Sequence, residues 1–400
     1  MTEPRSTDLT RLRGWGPLLF DATQALTHVV EGMHHEIARA PFVLGTPRVG
    51  PTRGVTGLVY RSIRGTSRAL GLAYETVLDQ FEPLSAERSA TPRDGTIGAV
   101  LNGVVGDHLV ATHNPLATTM CLRRQGRTIT LEARSLTNDI PRPRRHVVVL
   151  VHGLCMSDRG WARDGHDHGA SLARDLGWTE LYLQYNTGLH ISENGRRLSE
   201  LLDDLVRAWP APLERLTLVG HSMGGLVLRS ACRQAEDSAA EWRGRVADLV
   251  CLGTPHLGAP LARGVNWVHA ALGVSPYTAA LALLGKVWSA GATDLRYGYL
   301  LEEDWLGRDQ FAPALDRPAP VPLPANARCF AIAGCKERTG PLIGDGLVPV
   351  KSALGRDRDP RHTLDFAETR RWVAHGVDHV GLLGDRDVYE RLRCWLSEPI

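Results

Sequence analysis

One short segment constrains this chain more than any other: Gly220-His221-Ser222-Met223-Gly224-Gly225. It follows a strand-like run at residues 216–219 and opens residues 224–234, which read as a helix. A serine on so sharp a strand-to-helix turn holds a strained backbone. Side chains two residues to either side would collide with neighbouring backbone, which accounts for the glycines at 220 and 224. Gly225 lets the helix pack closely on the sheet. Gly-x-Ser-x-Gly alone is a weak signal, because a glycine-rich turn with an ordinary serine satisfies it too. The strand before it and the helix after it make it specific, and Ser222 is the candidate nucleophile.

The rest of the chain supplies the sheet that such a turn needs. His146–Val151 is a short, continuous apolar run, the pattern of a strand buried on both faces of a parallel sheet. Further strands read at residues 181–185, 216–219, 246–252, 329–333 and 370–374, with helices at 193–209, 224–234 and 386–397. This alternation implies an α/β architecture, a mostly parallel sheet flanked by helices. Upstream, residues 119–123 and 127–133 flank Gln125-Gly126 and read as a hairpin.

The alternation stops between Gly258 and Ala327. Residues 264–288 are apolar with a helical period, followed by the acidic Glu302-Glu303-Asp304 and a proline-rich loop at 313–324. A long insertion in a compact fold is usually functional, and residues 258–327 read as a helical lid. Its Trp267, Leu272, Leu281, Leu283, Leu284 and Trp288 either meet a hydrophobic acyl chain or pack on the core.

Residues 1–115 read as a helical N-terminal extension and 116–400 as the catalytic domain. Residues 20–39 form an amphipathic pattern ended by Pro41, and residues 55–73 a second one with Arg61, Arg64 and Arg68 interleaved. Such a basic helix lies on a membrane surface or packs on the body with its arginines in water, so residues 20–73 are the candidate peripheral membrane contact. Residues 83–96, with Pro83, Pro92, Asp94 and Gly95, read as a linker.

Composition excludes little. The chain is 43% hydrophobic and 22% charged, which suits a globular core, and its net charge of +2 argues against a nucleic-acid partner. Seven scattered cysteines with no Cys-x-x-Cys pair read as buried free thiols. The polar start shows no signal peptide and no apolar stretch reaches spanning length, so cytoplasm is the default location, with membrane association open.

Acyl chemistry at Ser222 needs three further groups. Backbone donors must meet the oxyanion; the N–H of Met223 follows the nucleophile, and that of Leu154 follows the early strand in His152-Gly153-Leu154. His152 reads as supporting that turn by hydrogen bonding. The acid candidate is Asp345 in Gly344-Asp345-Gly346-Leu347-Val348-Pro349, with Asp365 and Asp378 as rivals. The base is His379 or His375, with His379 favoured because its loop can reach over the sheet. Gly165-His166-Asp167-His168 reads as a solvated loop rather than a metal site, and His256 as a pocket wall.

Taken together, the 151–154 turn, the Ser222 elbow, Gly253-Thr254-Pro255-His256-Leu257-Gly258 and the Asp345 loop resemble lipases and esterases of the α/β-hydrolase superfamily. They also resemble its GPI inositol-deacylase-like branch. The resemblance spans roughly residues 116–400. It implies an α/β-hydrolase fold, a Ser222–Asp345–His379 triad, Leu154 and Met223 as oxyanion donors, and hydrolysis of a small-molecule or lipid ester with no cofactor and no metal. An acyltransferase or polyester depolymerase would use the same triad, and a silent hydrolase-fold scaffold would keep the fold without the reaction.

Overall fold

The computed structural model describes residues 14, 15, 18, 92–259, 289–308, 317–339 and 342–398. The helices expected at 20–39 and 55–73, and the apolar part of the insertion at 264–288, lie outside the described residues. Contacts divide the chain into two units. The smaller comprises Met1–Pro92 and Leu109–Ala117, and in it the Asn114 side chain donates to the Gly14 carbonyl at 3.0 Å. The larger comprises Arg93–His108 and Thr118–Ile400.

The larger unit is built on eight strands: β1 (Cys121–Arg124), β2 (Arg127–Thr128), β3 (His146–Val151), β4 (Thr179–Gln184), β5 (Arg215–His221), β6 (Val246–Leu252), β7 (Arg328–Cys335) and β8 (Arg371–His375). Their order is β2-β1-β4-β3-β5-β6-β7-β8. β1 runs antiparallel to β2 and to β4, and all pairings from β4 to β8 are parallel. Gln125 and Gly126 close the hairpin with φ of 49° and 76°, the left-handed pair that a two-residue turn needs.

The apolar runs are continuous because both faces are covered. On β3, Val147, Val149 and Val151 enter one core cluster while Val148 and Leu150 enter the other. On β7, Ala331 and Ala333 alternate in the same way with Phe330 and Ile332. One face is covered by α3 (Ile191–Ala208) through Leu198, Leu202 and Leu205, and by α4 (Met223–Ser238) through Leu226, Val227 and Ala231. The other is covered by α2 (His168–Leu176) through Leu172, and by α6 (Arg386–Ser397) through Val388, Leu392 and Trp395. Each buried valine or leucine among them contributes about 1.5–3 kcal/mol by leaving water.

Two differences from the sequence reading matter. Residues 92–96, expected in a linker, open helix α1 (Pro92–Ala111), which kinks at Val105. Proline is tolerated at a first helical position because the missing N–H has no intrahelical acceptor there, so Pro92 starts this helix rather than breaking it. The run at 165–168 is not a solvated loop: Asp167 caps α2 by accepting from the Ala170 N–H, and His168 is fully buried. Within the insertion, α5 (Ala290–Tyr297) and the turn Glu302–Trp305 are helical.

The end of the sheet opposite the Ser222 turn is tied by charge. Asp248, wholly buried on β6, accepts from Arg215 Nε of β5 at 2.9 Å, from Arg328 Nε of β7 at 2.8 Å and from the Thr217 hydroxyl at 3.1 Å. Asp248→Asn would remove the buried charge that Arg215 and Arg328 share there. It is expected to cost about 3–5 kcal/mol in urea unfolding; a loss below 1 kcal/mol would mean that solvent screens the cluster.

Candidate active site

Ser222 ends the β5-to-α4 crossover with φ 55° and ψ −123°, a conformation an L-residue holds only under constraint. Its N–H is fixed to the Leu252 carbonyl of β6 at 2.8 Å. The crowding explains the glycines. A Cβ on Gly224 would stand 2.1 Å from the Val151 carbonyl oxygen, and one on Gly220 2.5 Å from the Gly225 nitrogen. Neither obstacle is a movable side chain. Gly224→Ala is therefore expected to lose about 3 kcal/mol or more of stability, read from the urea midpoint; a near-neutral result would show that the turn is more plastic than its packing.

The Asp345 loop follows β7. Gly344 and Gly346, with φ of 154° and 99°, flank the acid and let the chain turn it inward. Asp345 is buried; its Oδ1 accepts from the Leu347 and Val348 N–H groups at 2.9 and 2.8 Å, and its Oδ2 meets His379 Nδ1 at 2.7 Å. Burial alone would raise its pKa. The His379 ring, through charge and hydrogen bond, and the two backbone donors outweigh it, and the carboxyl lies below its ordinary 3.8. An ionised carboxylate only accepts, so His379 Nδ1 carries a hydrogen, and in the neutral ring Nε2 is the nitrogen that presents a lone pair.

His379 lies in the loop after β8. Its own N–H donates to the Asp345 carbonyl at 3.1 Å, and its carbonyl accepts from His221 Nε2 at 2.9 Å. The His221 and His379 rings are 4.7 Å apart, which ties the His379 loop to the residue preceding Ser222. The rivals are placed differently. His375, Asp365 and Asp378 are exposed, and Asp378 caps a turn by accepting from the Gly381 N–H at 2.7 Å.

The turn after β3 approaches the same point: a Cβ on Gly153 would lie 3.0 Å from Ser222 Cβ. There the Cys155 N–H is taken by the Thr187 hydroxyl at 3.2 Å and the Met156 N–H by the Gly153 carbonyl at 3.3 Å. Met223 is the first residue of α4, where an N–H has no intrahelical acceptor. The turn is held by Tyr185, whose hydroxyl donates to the His152 carbonyl at 2.7 Å and whose ring stacks on that of His152 at 4.5 Å.

Sequence reasoning missed two supports. His221, inside the elbow motif, carries no local signal that its ring reaches the His379 carbonyl. His168 reaches across from α2, its Nε2 donating to the Leu382 carbonyl just beyond His379 at 2.9 Å, while its Nδ1 meets His166 Nε2 at 2.9 Å. The signal was the His-x-His run itself; its partner lies 214 residues away and leaves no mark in local pattern. Among the described residues no three metal-ligating side chains converge. Cys155, Cys232 and Cys251 are buried, which pushes each thiol up to about 12, whereas Cys394 is exposed.

Burial also lowers His152 and His168 from 6.5 to about 4 and His221 to about 3. The unfolded chain binds protons on these rings below 6.5 that the folded chain refuses until about 4 or 3. Their contribution to stability is full above 6.5 and is lost as pH falls through those folded values. The urea midpoint should drop steadily across that window, and His168→Gln, which keeps a donor for Leu382, should flatten the slope. An unchanged slope would remove His168 from the acid response.

The parallel sheet entered by an antiparallel hairpin, with a serine on the β5–α4 elbow and an Asp–His pair in the loops after β7 and β8, is the arrangement of the α/β-hydrolase fold. More narrowly, residues 142–314 match the family model described as PGAP1-like alpha/beta domain. The chain is 36% identical over 118 residues to Esterase PIR7B of Oryza sativa subsp. japonica, covering 28% of this chain and 42% of that protein, so it spans less than half of that relative's length. Among solved structures it is similar to the Bacillus licheniformis lipase BlEst2 in mature form, with 19% identity, 63% and 91% of the two chains covered and a TM-score of 0.41. It is also similar to the NocB thioesterase domain, with 21% identity, 64% and 97% coverage and a TM-score of 0.37.

Proposed function

We propose that this protein is a serine hydrolase that cleaves carboxylic esters through an acyl-serine intermediate. The observation that carries the reading is the His379 Nδ1–Asp345 Oδ2 contact of 2.7 Å, beside a buried serine at φ 55°. Ser222 Oγ attacks the ester carbonyl and its proton passes to His379 Nε2. Asp345 holds the ring in the required tautomer and stabilises the imidazolium. The negative oxygen of the tetrahedral intermediate is met by the N–H groups of Leu154 and Met223. Collapse breaks the ester C–O bond, and the leaving alcohol takes the proton from His379. Water then repeats the sequence on the acyl-serine, releasing the acid and restoring the Ser222 hydroxyl.

The 36% identity to a protein named an esterase supports an ester over an amide. The large apolar residues of the insertion, among them Trp267, Leu272 and Leu284, support a hydrophobic acyl group. The test is turnover of p-nitrophenyl esters from acetate to palmitate, with a matched acyl thioester beside them. Esters should be cleaved faster than the thioester, with an optimum above the shortest chain. A thioester preference would move the assignment to thioester hydrolysis. Turnover of neither would favour a silent scaffold. A new ester formed when an alcohol is added would identify an acyltransferase.

A further inference from the structure

Arg229 lies on α4, about two turns beyond Ser222, and is only 3% exposed. Among the described residues no carboxylate pairs with it. Its Nη1 donates to His256 Nδ1 at 3.2 Å, and its Nη2 donates to the Val321 carbonyl. Burial first, and the Arg229 charge second, keep the His256 ring neutral. With Nδ1 accepting, its hydrogen sits on Nε2. Two buried N–H groups therefore remain without an acceptor among the described residues: Arg229 Nε and His256 Nε2. Both residues line one cavity of about 40 Å³, which Arg317 and His362 also border. Arg317 is already paired with Asp357 at 2.7 Å, so among the described residues the uncompensated charge in this cavity is that of Arg229.

The geometry points to a built site for one small monovalent inorganic anion of the halide class, held by Arg229 Nε–H and His256 Nε2–H. Charge sets the number, because one buried guanidinium asks for one negative charge. Size admits it: the cavity's free space of about 40 Å³ exceeds the roughly 10–15 Å³ that one water molecule needs. Charge, rather than size, favours a monovalent halide over a dianionic phosphate or a lipid head group. A water molecule would satisfy the same two donors and leave the charge uncompensated. The anion would brace the turn Thr254-Pro255-His256, whose Thr254 side chain packs against Gly225 of the elbow.

Thermal unfolding of the full chain, with potassium chloride replacing potassium gluconate at constant ionic strength, tests this. The wild type should gain a saturable rise in Tm of about 2–4 °C, and Arg229→Met should show none. A flat wild-type response, or the same rise in both proteins, would overturn the site. Because Arg229→Met may not fold, the chlorine-35 line width of the wild type gives a second reading. Saturable broadening that bromide displaces and His256→Phe abolishes is expected. Broadening that survives His256→Phe would place any bound chloride elsewhere and defeat the assignment.

Discussion

Ser222→Ala is expected to lower ester turnover by about 10⁶-fold while leaving the unfolding transition where it was. The first half follows from the proposed mechanism, in which the Ser222 hydroxyl forms the acyl intermediate. The second follows from the geometry. Alanine keeps the Cβ that already tolerates φ 55°, and the Ser222 hydroxyl has no hydrogen-bond partner among the described residues whose loss would cost stability. Steady-state kinetics and a melt on one preparation check both halves. Retained turnover would remove Ser222 from the reaction. Loss of both activity and fold would show that the hydroxyl is structural.

Asp345→Asn is expected to reduce kcat by about 10⁴-fold near neutral pH, and the reason is a tautomer. Asp345 Oδ1 accepts from two backbone N–H groups, at Leu347 and Val348, so an asparagine must place its carbonyl oxygen there. Its amide N–H₂ then faces His379 Nδ1. That nitrogen must accept, the ring hydrogen moves to Nε2, and the lone pair that should receive the serine proton is gone. Nitrogen-15 shifts of the ring report the tautomer independently of rate. A drop of less than tenfold with the ring unchanged would exclude Asp345 as the partner and reopen the case for Asp378.

Much of the frame was legible because it is local. The strand read at 146–151 and the closing helix read at 386–397 have those bounds in the structure, since a strand covered on both faces must be apolar throughout and an amphipathic helix repeats every three or four residues. Helix α1 was missed because Pro92 and Gly95 read as breakers, although proline suits a helix start. His168 was misread because two histidines and an aspartate look solvated, whereas one partner is the Leu382 carbonyl and the other a neighbouring ring.

By itself, then, the sequence determined the sheet, its helical cover and the elbow at Ser222, because each is specified by side-chain periodicity or by glycines within a few residues. Only the tertiary structure decided which carboxylate meets which imidazole. β7 and β8 pair from Ala331↔Arg371 to Cys335↔His375, and the chain then turns at Gly376 with φ 76°. That register leaves His375 and Asp378 in solvent and carries His379 to Asp345, 34 residues away. Packing between segments also leaves Arg229 buried with no carboxylate partner among the described residues, which no local pattern records.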